Sequence, residues 1–109
     1  MLSLKFYYVY FVSNYNNKVL YIGVTNSLFY RTWQHKIKYN PSCFTAKYNA
    51  NKLVYYEEYE NIISAIAREK QLKNWKREWK NKLVEGFNPD WKDLAKDWYT
   101  EEEINFKAE

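Results

Sequence analysis

An α+β domain, with a small three-stranded antiparallel sheet flanked by helices, is the architecture that three features of this sequence predict. FYYVYFV at 6–12 and KVLYIGV at 18–24 are rich in aromatic and β-branched residues, the composition of strands, and the polar cluster SNYNN lies between them. A third stretch of the same kind, LVYYEEY at 53–59, follows a helical pattern. A long helical stretch from Ile62 to Glu85 then supplies a layer against which such a sheet can bury one face.

Taken in order, SNYNN suits the turn of a hairpin between the first two strands. Thr25 or Asn26 is placed to cap a helix running through SLFYRTWQHKIK. In that helix Phe29, Trp33 and Ile37 fall at i, i+4, i+8 and form an apolar stripe. Asn40-Pro41-Ser42 breaks it, and CFTAKYNAN reads as a polar-aromatic connection to the third strand. The long helical stretch is expected to be jointed near Trp75 and stopped by Gly86. Asn88-Pro89 should start a last short helix carrying Trp91, Leu94 and Trp98. Residues 1–96 form the domain proper in this reading, and 97–109 an acidic tail that can move.

Composition agrees with one folded domain. Of 109 residues, 47% are hydrophobic and 28% charged, which is ordinary, whereas the aromatic share of 21% is high. With only two Gly and two Pro, long irregular loops are not expected. The net charge of +4 is uneven. Asp97, Glu101, Glu102, Glu103 and Glu109 face Lys107 alone, which leaves 16 of the 17 basic and 8 of the 13 acidic side chains in residues 1–96. A basic body attracts a polyanion and releases its counterions, although it can equally serve solubility. The single cysteine, Cys43, excludes an internal disulfide and cannot build a zinc site. No apolar run approaches membrane-spanning length, and MLSLKFYYVY is too short and too aromatic for a signal peptide. A reducing, cytoplasmic setting without a membrane partner is the expectation.

Three clusters can carry chemistry, each with a structural reading beside it. Tyr8-Val9-Tyr10 and Tyr21-Ile22-Gly23 put phenols across a hairpin, where they can hold a water near a metal or simply pack across strands. Gly23 inside a strand pattern indicates close approach of a backbone or a ligand. Arg31 and His35, at i, i+4, share a helix face turned away from the Phe29 stripe. That face is either solvated, or offers a guanidinium to phosphate and an imidazole to a proton. Glu69 falls within the apolar arc of Ile62, Ile63, Ala65, Ile66 and Leu72, with Lys73 one turn on. A carboxylate there needs a partner, either Lys73 or a divalent cation such as Mg²⁺, and one group can serve both. Around it run Arg68, Lys70, Lys73, Lys76, Arg77, Lys80 and Lys82, with Trp75 and Trp79 interleaved. Such a run can track a phosphate backbone and stack unpaired bases, or the tryptophans can belong to the core.

Together these residues resemble the GIY-YIG nuclease family. Tyr8-Val9-Tyr10 stands where the family has Gly-Ile-Tyr, Tyr21-Ile22-Gly23 matches Tyr-Ile-Gly, and ten residues separate them. YIGVTNSLFYRTWQHK repeats the family's order of strand, capped helix, Arg, and His four residues later. AIAREKQLKNWKREWKNKLVEGFNPDW is similar to small freestanding bacterial members related to the excinuclease C N-terminal domain, so the resemblance covers residues 6–94. It implies a DNA endonuclease using one divalent metal, Mg or Mn, held by Glu69. It also implies Tyr21 as general base, Tyr10 positioning water or phosphate, Arg31 stabilising phosphate charge, and His35 assisting proton transfer or orientation. Lys70, Lys73, Lys76, Arg77 and Lys80 would contact DNA, possible forms being branched, flapped or single-stranded, in repair or recombination, by a monomer or weak dimer. The alternatives are a non-catalytic nucleic-acid-binding module on the same scaffold, or an interaction domain whose acidic tail docks on a basic face. The relaxed Tyr-Val-Tyr is a departure from the family, and the asparagine that members often place after the glutamate has no assigned counterpart in Asn74 or Asn88.

Overall fold

The structure, a computed structural model, describes residues 5–106. Strand β1 (Tyr7–Ser13) pairs antiparallel with β2 (Leu20–Thr25) on one side and β3 (Lys52–Tyr59) on the other, giving the order β2-β1-β3 with β2 and β3 at the edges. This is the three-stranded α+β arrangement that the sequence predicts.

Alternation along the strands separates two cores. Val9, Phe11 and Ile22 point to one face, where α3 (Ile62–Lys73) contributes Ala65 and Leu72, and α4 (Arg77–Phe87) contributes Val84. Tyr8, Tyr10, Val12 and Tyr21 point to the other, which meets Leu28 of α1 (Leu28–Lys36) together with Ala95, Leu94, Trp98 and Tyr99. The register steps from Phe11↔Tyr55 to Val12↔Leu53, so Val54 is an extra residue, and both Val54 and Tyr55 reach the first core.

Several local expectations are corrected. The cap of α1 is Ser27, whose hydroxyl accepts from Tyr30 N at 3.3 Å, while Thr25 Oγ1 accepts from Ser27 N at 3.1 Å. The buried face of α1 is Leu28, Thr32 and His35, not the Phe29 stripe. Phe29 and Trp33 are covered from outside by distant aromatics: Phe29 stacks on Trp98 at 6.2 Å, and Trp33 packs on Phe106 at 5.4 Å. The connection at 43–51 contains a short helix, α2 (Phe44–Lys47).

The long helical stretch is jointed at residues 74–76, as expected, but Gly86 lies inside α4 and stops nothing. No helix starts at Asn88-Pro89. The Asn88 amide donates to Val54 O and Lys92 O, and Asp93 Oδ1 accepts from Leu53 N and Ala95 N. These side chains take up backbone groups that a helix would need, and turns result. Trp91 accordingly adopts a left-handed φ of 52°.

Residues 97–106 of the acidic tail lie against α1, with a short helix α5 (Glu101–Ile104) capped by Thr100 and Glu103 in reciprocal hydrogen bonds. Trp33 Nε1 donates to Glu103 O at 2.7 Å and Tyr99 Oη to Phe29 O at 2.7 Å. Lys107 and Glu109, counted in that tail, fall outside the described residues. Among the described residues no helix is long and apolar enough to cross a membrane.

Candidate active site

Tyr10, Tyr21, Arg31, His35 and Glu69 line one cleft of about 440 Å³, with Gly23, Val24, Asn40, Cys43, Phe44 and Thr45. Its lining includes both Gly23 and Val24, neighbours whose side-chain positions lie on opposite faces of β2, so the cleft wraps the free edge of that strand. This is how a carboxylate on α3, packed on one face of the sheet, meets phenols on the other.

Tyr10 is buried and sits directly opposite Gly23 in the ladder. A Cβ on Gly23 would come within 2.6 Å of Tyr10 Oη, so the close approach anticipated at this glycine is that of the Tyr10 ring. The Tyr10 hydroxyl lies 2.8 Å from His35 Nε2, and His35 Nδ1 lies 3.0 Å from Thr45 Oγ1. Both ring nitrogens are therefore engaged. Tyr21 stands 6.4 Å from Tyr10 and 5.8 Å from His35 between ring centroids, half-buried at the cleft wall.

Charge and burial divide the roles. Burial, reinforced by the neighbouring Tyr21 phenol and Glu69, raises the Tyr10 pKa well above an ordinary phenol, despite an opposing pull from Arg31. Burial, with the Arg31 charge beside it, lowers the His35 pKa to about 4. His35 is thus a neutral hydrogen-bonded ring at pH 7. Arg31 itself is exposed at the mouth of the cleft and makes no ion pair among the described residues.

The Glu69 side chain retains 15% exposure, and Lys73 Nζ approaches its Oε1 at 3.4 Å. Glu69 is thus paired with Lys73 at one oxygen and also lines the cleft. The apolar arc around it is shallower than its sequence suggests: Ala65 and Leu72 are buried, whereas Ile62, Ile63 and Ile66 are exposed.

The basic run splits. Lys70 and Lys73 lie beside Glu69 on α3 and are exposed, as is Lys76. Arg77 instead reaches the hairpin turn, donating to Lys18 O at 3.0 Å and Asn17 O at 2.5 Å, and Lys80 donates to Lys73 O at 3.3 Å. Arg68 forks onto both oxygens of Glu57 and lies 5.1 Å over Trp75. Trp75 packs against the first core, edge-on to the half-exposed Trp79. Neither Asn74, which donates to Lys70 O, nor the buried Asn88 lines the cleft. Asn40, Cys43, Phe44 and Thr45 do, and no motif in the sequence marks them.

The GIY-YIG catalytic domain family matches residues 6–83, from just before β1 to within α4. No curated protein and no solved structure gives a significant match. With the order of strands and helices and the five cleft residues all in place over most of its length, the chain belongs to the GIY-YIG catalytic domain family, a nuclease family.

Proposed function

We propose that this chain is a divalent-metal-dependent DNA endonuclease, and the observation that supports it is the convergence of Tyr10, Tyr21, Arg31, His35 and Glu69 on one cleft. Its sequence from Ala65 to Trp91 further supports a place among the small freestanding members related to the excinuclease C N-terminal domain, with repair or recombination as the setting, in a reducing cytoplasm. The nuclease unit is residues 1–96.

The donor set suits a hard cation. Among the described residues no cluster of three His, Cys, Asp or Glu side chains exists, and both nitrogens of His35 are occupied. Of the residues that line the cleft Glu69 carries the one carboxylate, which would suit Mg²⁺ or Mn²⁺ with water and phosphate oxygens as the remaining ligands. When bound, the metal supplies Lewis-acid polarisation of the phosphoryl group.

The protein's own residues do the rest. Tyr21, at the cleft wall, would act as the phenolate that takes the proton of the attacking water and so becomes the neutral phenol. Tyr10 is poorly suited to that task because burial opposes its phenolate, and it positions water or phosphate instead. Neutral His35 holds the Tyr10 hydroxyl in place. Exposed Arg31 meets negative charge as it grows on the phosphate. Lys70, Lys73 and Lys76 track the DNA backbone, and Arg77 and Lys80 brace the same ridge.

The decisive experiment is a cleavage panel over nicked, flapped, branched and single-stranded DNA with Mg²⁺ and with Mn²⁺, beside Arg31→Ala and Glu69→Ala. Cutting that both variants lose is expected; intact DNA throughout would remove this reading. The existing Lys73–Glu69 pair keeps one rival in view, a non-catalytic nucleic-acid-binding module. In that case Glu69→Ala leaves DNA affinity unchanged or raises it, and nothing is cut.

A further inference from the structure

We propose that Phe44 and Tyr48 form a stacking platform for an unpaired base next to the scissile phosphate, so that the enzyme prefers DNA that is single-stranded at the cut. This rests on the nuclease reading above and names its substrate class. The rings form a ladder leading out of the cleft. Phe44 lines the cleft and stacks on Tyr21 at 6.2 Å and 29°, and Tyr48 follows at 4.7 Å from Phe44. Burial falls away along it: Tyr21 is half-buried, Phe44 is 47% exposed and Tyr48 52%. Aromatic rings that leave this much apolar surface in water, in line with a phosphate-cutting site, offer a face that every base can use.

Charge points to the same occupant. The first 56 residues contain no Asp or Glu, while Lys5, Lys18, Arg31, Lys36, Lys38, Lys47 and Lys52 are basic. Three of the six exposed aromatics described in that segment adjoin a cation in the chain, as Tyr30-Arg31, Lys38-Tyr39 and Lys47-Tyr48. Around the platform itself, residues 38–48 alternate rings and cations (Lys38, Tyr39, Phe44, Lys47, Tyr48) without a carboxylate, which suits a chain with bases on one side and phosphates on the other. An apolar protein partner would not require the missing acidic groups. A continuous duplex keeps its base faces stacked and cannot use the rings.

The test is the ratio of kcat/KM on a flapped or single-stranded oligonucleotide to that on a continuous duplex of the same sequence. The platform predicts a ratio well above one, falling by on the order of tenfold in Phe44→Leu/Tyr48→Leu, which keeps apolar bulk but removes the rings. Tyr15→Leu, an 85% exposed tyrosine on the hairpin turn, should keep the ratio. Tyr48→Leu alone, which removes the outer ring that packs on Phe44, serves if the double variant unfolds. In parallel, a metal-free single strand carrying 2-aminopurine should lose fluorescence on binding, and the variants should restore it. A ratio near one, or one that the double variant leaves unchanged, overturns the platform, as does unquenched 2-aminopurine. If the protein cuts nothing yet quenches the probe through Phe44 and Tyr48, the platform stands as a binding site and the nuclease reading falls instead.

Discussion

On the face of the sheet that carries Val9, Phe11 and Ile22, α3 and α4 contribute Ala65, Leu72 and Val84, all hydrocarbon and all buried. On the face that carries Tyr10 and Tyr21, the fully or nearly buried groups from α1 and α2 include Thr32, His35 and Thr45. The difference lies in what each layer can be asked to do. Apolar burial contributes about 25 cal/mol per Å² and needs no particular partner. Buried hydroxyls and an imidazole call for hydrogen bonds, which Thr45 and His35 make and Thr32 Oγ1 does not among the described residues, and such bonds add little net stability. What they provide is orientation: Thr45 holds His35 and His35 holds Tyr10. Stability should therefore reside mainly on the first face and chemistry on the second, with Glu69 crossing between them at the β2 edge.

The largest expected effect tests that crossing. Glu69→Ala should lower kcat on the order of a thousandfold, since the residue proposed to hold the metal is lost. Its unfolding midpoint should scarcely move, because the only ion pair broken among the described residues involves a half-exposed Lys73. Leu72→Ala, three residues further along the same helix, should do the reverse. Leu72 is fully buried, and its truncation should cost about 2–5 kcal/mol by denaturant unfolding. Cleavage per folded molecule should stay close to that of the unsubstituted protein. If Leu72→Ala lost activity in proportion to stability, the division between the faces would fail.

A smaller effect belongs to the second face in acid. His35 is the only histidine in the chain, so a single imidazole NMR signal reports on it. Its folded pKa of about 4 lies below the unfolded value near 6.5. The unfolded state therefore binds the extra proton first, and the contribution present above pH 6.5 is lost as pH falls towards 4. By linkage that loss amounts to about 3 kcal/mol at most. His35→Gln should flatten this part of the stability profile. An imidazole titrating near 6.5 in the folded protein would mean that the Tyr10–His35–Thr45 chain is not formed.

The two faces also differ in how far they could be read beforehand. The strands were legible to within two residues, because their composition is a local signal. The five cleft residues were legible through the resemblance to the GIY-YIG family, and the structure brings all five together. The helix α1 was turned the wrong way. Phe29 and Trp33 look like a core stripe, but the segment that covers them comes from residues 98–106, and local periodicity carries no information on so distant a partner. Consequently His35, on the face turned away from the expected stripe, is buried. Asn88-Pro89 looked like a helix start, yet the Asn88 amide is spent on Val54 O and Lys92 O. Phe44 and Thr45 lay in a stretch with neither periodicity nor a motif, and only the fold brings them to the cleft.

The smallest effect probes the contact on which the second face depends. Gly23 lies opposite Tyr10, and neither residue has a positive φ, so conformational freedom does not explain the glycine. Space does. An alanine Cβ would meet Tyr10 Oη, Cζ and Cε1 at 2.6, 2.7 and 2.9 Å. The buried ring can move aside only by giving up the hydrogen bond between its hydroxyl and His35. Overpacking of this kind costs about 1–3 kcal/mol, and here the strain should be relieved by moving the ring away from His35. Gly23→Ala should therefore lower the unfolding midpoint modestly and kcat by roughly tenfold, while raising the imidazole pKa as Nε2 is released into the cleft. A stability loss with an unchanged imidazole titration would mean that the strand shifts and the ring does not. The edge strand would then be the softer partner, and Tyr10 with His35 the rigid one.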